Sequence, residues 1–148
     1  MALKITSPSF QNNEDIPVKF SCQGDDINPE IQIHDVPEGT ESLLLLLTDP
    51  DAPSKTWLHW CMYGIHPDTN HIPENCPENY AQQTLNDFGN PGYGGPCPPK
   101  SKHQYMFRLY ALKNQIGLPK DSNLTDILIA IEDEIISSAE LVGYFQKS

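Results

Sequence analysis

Nowhere in the sequence do apolar residues run for the roughly 20 positions that a bilayer-spanning helix needs; the run LLLLL at 43–47 is far too short. No membrane span is expected. The amino-terminal MALKITSPSF also lacks the apolar core of a secretory signal, which points to a cytoplasmic protein. Positive charge is scarce: nine Lys and Arg stand against twenty Asp and Glu, a formal net charge of −11. This balance opposes non-specific attraction to nucleic acid and to anionic membranes, so any anion the protein holds must be captured by local geometry. The four cysteines, Cys22, Cys61, Cys76 and Cys97, form no CxxC pair and no zinc-ribbon spacing. A reducing compartment keeps them as thiols; an oxidising one allows a two-bridge framework. Repeats, linkers and low-complexity tracts are absent too, so residues 1–148 read as a single domain.

Proline, by contrast, is abundant. Fourteen prolines exclude long helical bundles and favour ordered loops between short elements. From Ile5 to about Glu38, turn clusters such as NNEDIP and QGDDINP separate short β-favouring pieces, VKFSC and IQIHDV. SLLLLLTD at 42–49, with Pro50 and Pro53 close behind, reads as a strand buried on both faces. LHWCMYGIH at 58–66 reads as a second core strand. In YMFRLYAL at 105–112, Tyr105, Phe107, Leu109 and Ala111 share one face, and Met106, Arg108, Tyr110 and Leu112 the other. Helical spacing arrives late, at Leu124, Ile127, Leu128, Ile131 and Ile135, with Asn123 as N-cap and Asp126 three residues on. Ala139–Phe145 is expected to form a second short helix, turned near Gly143.

Three features could carry chemistry. In DPDAPSKTWLHW, Asp49 and Asp51 flank a proline of locked φ at the end of the buried strand. Each is either a turn-former accepting backbone N–H groups or a site residue orienting a nearby donor. His59, alone in an apolar strand, needs a partner before it counts as more than a core residue. The third feature, GNPGYGGPCPPKSKHQY at 89–105, supplies one. Strand alternation puts His103 and Tyr105 on one side, about 7 Å apart. The glycines at 92, 94 and 95 could present bare N–H groups to an anion, held by a proline-stiffened loop. A connection whose glycines serve only turn geometry is the competing reading.

TDPDAPSKTWLHW (48–60) and YGGPCPPKSKHQYMFRLYAL (93–112) closely resemble the two signature regions of the phosphatidylethanolamine-binding proteins, in their bacterial and archaeal branch. This family includes the animal Raf kinase inhibitor proteins and the plant flowering-time regulators. The resemblance extends to SPSF, to IPVKFSCQGDDINPEIQI and to AELVGYF, nearly the whole chain. It implies a mainly-β fold, a Greek-key β-sandwich of one large and one small antiparallel sheet, with C-terminal helices near a pocket mouth. It also implies a small pocket for phosphate, acetate or a phospholipid head group. Carried over residue by residue, the pocket is built from Asp49, His59, the backbone around Gly94, Gly95 and Pro96, and His103 and Tyr105. Asp51 and Pro53 shape its loop, and Trp57 packs near the rim. Where the family commonly reads HRY, this chain has Gln104, which alternation turns to the opposite face. HPDTNHIPENCPEN is peculiar to this chain, and His34, His66 and His71 match no pocket position, so they read as surface or structural residues.

The leading functional reading is a non-catalytic protein that binds a small anion or phospholipid head group, without cofactor or metal. Histidine and tyrosine donors orient the anion while Asp49 fixes an imidazole tautomer. The alternative is an enzyme: a hydrolase for which Cys97 is the one candidate nucleophile, or a metal site of His59, His103 and Asp49. The resemblance further suggests a protein partner, such as a kinase or protease, and a homodimer.

Overall fold

The computed structural model describes residues 2–148. The pentaleucine run lies at its centre, in β4 (Ser42–Asp49), a strand buried at every position, as its composition predicts. Leu43, Leu45 and Leu47 face one apolar cluster and Leu44 and Leu46 a second. β4 pairs antiparallel with β5 (Trp57–Ile65) on one side and β8 (His103–Leu112) on the other. β7 (Gln82–Gln83) extends the sheet beyond β5, and β9 (Ile135–Phe145) extends it beyond β8. In this sheet β4, β5 and β7 follow one another, and β8 returns by a long connection to lie beside β4. That order is a Greek key. At the far edge β2 (Glu14–Asp15) joins β9 in parallel, a departure from the all-antiparallel expectation.

The small sheet has the order β1 (Lys4–Thr6), β3 (Ile31–His34), β6 (His71–Ile72). Its Ile5, Ile31, Ile33 and Ile72 pack with Leu45, Leu47, Phe107 and Leu109 of the large sheet. Each such side chain, fully buried, contributes roughly 1.5–3 kcal/mol. The alternation read in 105–112 explains the division: its odd positions enter this core, while Tyr110 and Leu112 enter the second cluster. That second cluster is covered by α1 (Leu124–Ile131) through Ile127 and Ile131. A capping box starts α1, with Asn123 Oδ1 accepting from Asp126 N at 2.8 Å and Asp126 Oδ2 accepting from Asn123 N at 3.2 Å.

Three expectations are corrected. VKFSC contains no strand; Val18–Phe20 forms a 3₁₀ turn after Pro17, burying Phe20. Ala139–Phe145 is not a second helix but the end of β9, and Ile135 begins that strand instead of continuing α1. Pairing along β8, from Ile135 opposite Leu112 to Phe145 opposite His103, outweighs the local helix preference. One helix therefore stands where helices were expected, on the sheet face opposite the small sheet. The cysteines are not all thiols either: Cys22 and Cys97 form a disulfide across a separation of 75 residues, while Cys61 and Cys76 are free. Among the described residues no helix is long and apolar enough to cross a membrane.

Candidate functional site

β4 delivers Asp49 to the edge of the core, where it is almost fully buried. Its Oδ2 accepts a hydrogen bond from His103 Nδ1 at 2.7 Å, and its Oδ1 accepts from the Asp51 backbone N–H at 2.8 Å. Asp51 is exposed, and its Oδ2 accepts from the Gln104 N–H at 2.8 Å. The two acids of DPD thus divide the work. Asp49 holds the imidazole from within, and Asp51 ties the turn to the start of β8 from outside.

His59 reaches the same place by a break in pairing. Leu47 opposes Trp60, yet the next residue of β4, Thr48, opposes Leu58, so His59 has no partner across the ladder. This β-bulge re-aims the side chain, as bulges beside functional sites do. His59 Nδ1 lies 2.7 Å from the Gly94 carbonyl oxygen. A carbonyl can only accept, so Nδ1 carries the hydrogen and Nε2 of the neutral ring is a lone-pair acceptor. Burial lowers the His59 pKa, partly offset by the Gly94 contact and the Asp49 charge.

Above pH 6.5, the ordinary histidine value, the ring is neutral folded and unfolded. Below it the unfolded chain binds the proton more readily, so stability falls with pH, by up to about 1.4 kcal/mol per unit from this group. His59→Asn keeps a donor toward Gly94 and abolishes the titration. Urea unfolding at about pH 7 and about pH 5.5 should show a shallower loss in the variant than in the wild-type protein.

Tyr105 is fully buried, and its hydroxyl has no hydrogen-bond partner. Burial and the neighbouring Asp49 charge raise the phenol's pKa, keeping it an O–H donor. Trp57 Nε1 is the other buried side-chain polar atom without a partner among the described residues. An unpaired buried donor costs roughly 1–3 kcal/mol, so two of them in one place call for an explanation. Both belong to residues lining a single cavity of about 170 Å³, together with Asp49, His59 and His103. The ring of Tyr105 meets His59 edge to face at 5.3 Å, and Phe88 meets His59 at 5.4 Å and Trp57 at 5.5 Å. At the rim the Lys55 ammonium lies 5.6 Å from the centre of a Trp57 ring and 3.6 Å from Asp87 Oδ1.

The structure therefore brings Asp49, His59, His103 and Tyr105 together, with Pro53 and Trp57 on the same lining. Gln104 lies outside the cavity, on the side where alternation places it. The loop amides are a correction. Gly94 N donates to the His59 carbonyl at 2.9 Å, and Gly95 N donates to Asp26 Oδ1 at 2.8 Å, so neither is bare. Gly94, Gly95 and Pro96 are also absent from the lining. Their glycines serve close approach: a Cβ on Gly94 would stand 2.6 Å from Phe88 Cδ2, and one on Gly95 would strike the Phe20 carbonyl.

The wall is built instead from Cys97, Pro98 and Pro99, facing Ala52 and Phe88, residues that sequence reasoning missed as lining. GPCPP, a tract too proline-rich to donate hydrogen bonds, was the available signal for the first three. His34, His66 and His71 are exposed. A second recess of about 150 Å³, beside Asn28 and Gln83, has no orphaned donor: Asn28 Nδ2 donates to Pro73 O and Gln83 Nε2 to Glu78 O.

A two-sheet Greek-key sandwich with a buried His–Asp pair beside a small recess defines a class of protein, and comparison with known sequences gives the family. The phosphatidylethanolamine-binding protein family model matches residues 6–146, and this chain belongs to that family. A UPF0098 protein of Aquifex aeolicus is 39% identical over 152 aligned positions, which cover 98% of this chain and 89% of the relative. One from Methanothermobacter thermautotrophicus is 37% identical, with 98% and 99% covered. Among solved structures, a putative phosphatidylethanolamine-binding protein homolog from Chlamydia trachomatis matches with a TM-score of 0.93 at 37% identity, covering 99% of both chains. E. coli YbcL, described as a member of the mammalian family, matches with a TM-score of 0.93 at 28% identity over 100% of both.

Proposed function

We propose that this protein binds a small oxyanion in the cavity, either free phosphate or the phosphate of a phospholipid head group. The observation that carries the reading is the pair of orphaned donors, Trp57 Nε1 and Tyr105 OH, on one lining. An oxyanion is rich in acceptors and would satisfy both. The volume of about 170 Å³ is well below the roughly 300–1,000 Å³ of pockets for drug-sized ligands, so a head group fits and an acyl chain does not. The lone pair of His59 Nε2 adds a demand for a ligand proton, which hydrogen phosphate and phosphomonoesters carry near neutral pH; sulfate and the phosphodiester of an ordinary phospholipid lack it, so free phosphate or a phosphomonoester head group is the favoured ligand.

The hydrolase reading loses its one candidate nucleophile, because Cys97 is bonded to Cys22. Among the described residues no three His, Cys, Asp or Glu side chains stand together as a metal site.

Calorimetric titration with phosphate and with sulfate tests the proposal. Saturable phosphate binding is expected, with sulfate weaker. Tyr105→Phe should weaken phosphate by about 10- to 100-fold, the equivalent of one hydrogen bond to a charged group. The same change should leave stability unchanged or raised, since it removes an unsatisfied buried hydroxyl. Phosphate binding unaltered by Tyr105→Phe, or no saturable binding by the wild-type protein, would sink the reading.

A further inference from the structure

We propose that the Cys22–Cys97 disulfide gates this cavity. Oxidised, it pins residues 97–101 as a wall; reduced by a dithiol, it releases them, and the held anion loses its enclosure. The inference rests on the anion-binding reading, and its test separates the two.

Cys97 lines the cavity, whereas Cys22 is exposed at the other end of the bridge. One covalent bond therefore runs from solvent to the cavity wall. As far as Pro96 the loop is tied to the turn at 20–26 by hydrogen bonds. Tyr93 OH donates to Phe20 O at 2.7 Å, Gly95 N to Asp26 Oδ1 at 2.8 Å, and Cys22 N to Pro96 O at 3.1 Å.

Beyond Pro96 the ties change character. Residues 97–101 make no hydrogen bond of good geometry to any described residue; their one polar approach is that of the Cys97 amide to the Tyr105 hydroxyl. Pro98 and Pro99 have no N–H to donate. The next attachment is the Lys102–Asp15 ion pair at 3.0 Å, between half-exposed or more exposed side chains, an interaction of small worth in water. The disulfide is thus the one strong tether on a wall formed by Cys97, Pro98 and Pro99. Breaking it leaves the sheet, the His103–Asp49 pair and α1 untouched while freeing the segment that closes the recess.

The chemistry balances as thiol–disulfide exchange. A thiolate of the dithiol attacks the sulfur of Cys22, the exposed residue of the pair; the bond to Cys97 breaks, and the electron pair leaves on the Cys97 sulfur, which takes up a proton. The second thiol of the reductant then displaces Cys22 and closes a cyclic disulfide. The protein gains two electrons and two protons, and the dithiol loses the same.

The experiment uses ¹⁵N-labelled protein, oxidised and after dithiothreitol, with two readouts: solvent exchange of the Trp57 indole N–H, and titration with inorganic phosphate. Reduction should leave a dispersed, folded spectrum and speed indole exchange by about ten-fold or more, as local opening does. It should also weaken phosphate by about ten-fold. The Cys22→Ser/Cys97→Ser variant should behave as the reduced protein with or without dithiothreitol. Unchanged indole exchange in a reduced, folded protein overturns the gate whatever phosphate does. Global unfolding on reduction overturns it as well, since the bridge would then hold the whole fold. Faster exchange on reduction with no phosphate binding to either form keeps the gate and rejects the ligand.

Discussion

Replacing Asp49 with Ala is expected to lower the unfolding free energy by about 3–5 kcal/mol and to abolish measurable phosphate binding. Two buried or part-buried hydrogen bonds end on this carboxylate, from His103 Nδ1 and from Asp51 N. Bonds to charged groups contribute roughly 1.5–3 kcal/mol each. Part of that loss is the cost of leaving the His103 N–H buried without a partner. His103 and Asp49 side chains are only 6% and 4% exposed, so the bond that is lost lies largely out of bulk water. Asp49→Asn keeps the shape and one acceptor, and should fall between the two proteins. Urea unfolding followed by circular dichroism measures the first effect, and titration of the still-folded variant at low temperature measures the second. An Ala variant as stable as the wild-type protein would show that the pair contributes nothing to the fold.

Loss of the disulfide is the other large effect. Closing a loop of 75 residues restricts the unfolded chain by an amount worth about 4 kcal/mol in the loop-entropy account. Cys22→Ser/Cys97→Ser should therefore unfold at a lower denaturant concentration and melt roughly 10 °C lower. Domains commonly hold about 5–15 kcal/mol in reserve, so the variant should remain folded at room temperature. The denaturant midpoint of wild-type protein should drop to that of the variant when reductant is added and return when it is removed. A midpoint indifferent to reductant would contradict this.

Some of this molecule could be read from its sequence because the reason for each element is local. Five leucines followed by two nearby prolines admit a doubly buried strand and little else, and β4 spans the residues expected. Alternation alone placed His103 and Tyr105 on one side of β8, and Asn123 with Asp126 marked the start of α1. The failures have distant causes. The helix-favouring AEL of 139–141 becomes strand because β8 lies beside it. The Gly95 amide is taken by Asp26, 69 residues away, and Cys97 by Cys22, 75 residues away. Neither pairing leaves a mark in nearby sequence. Phe88 sits in NDFGN, a turn-like string, and only the folded chain brings its ring onto His59 and Trp57.

The missing ladder partner of His59 has a consequence for how such a recess could arise or be erased. Excising one residue from β5 at that point would restore a regular register without disturbing the leucine layers, yet it would withdraw the imidazole. Scaffold and pocket are in this sense separable at a single supernumerary residue. A protein engineer could use that position to make an inert sandwich from this one, or to open a comparable recess in a plain sheet.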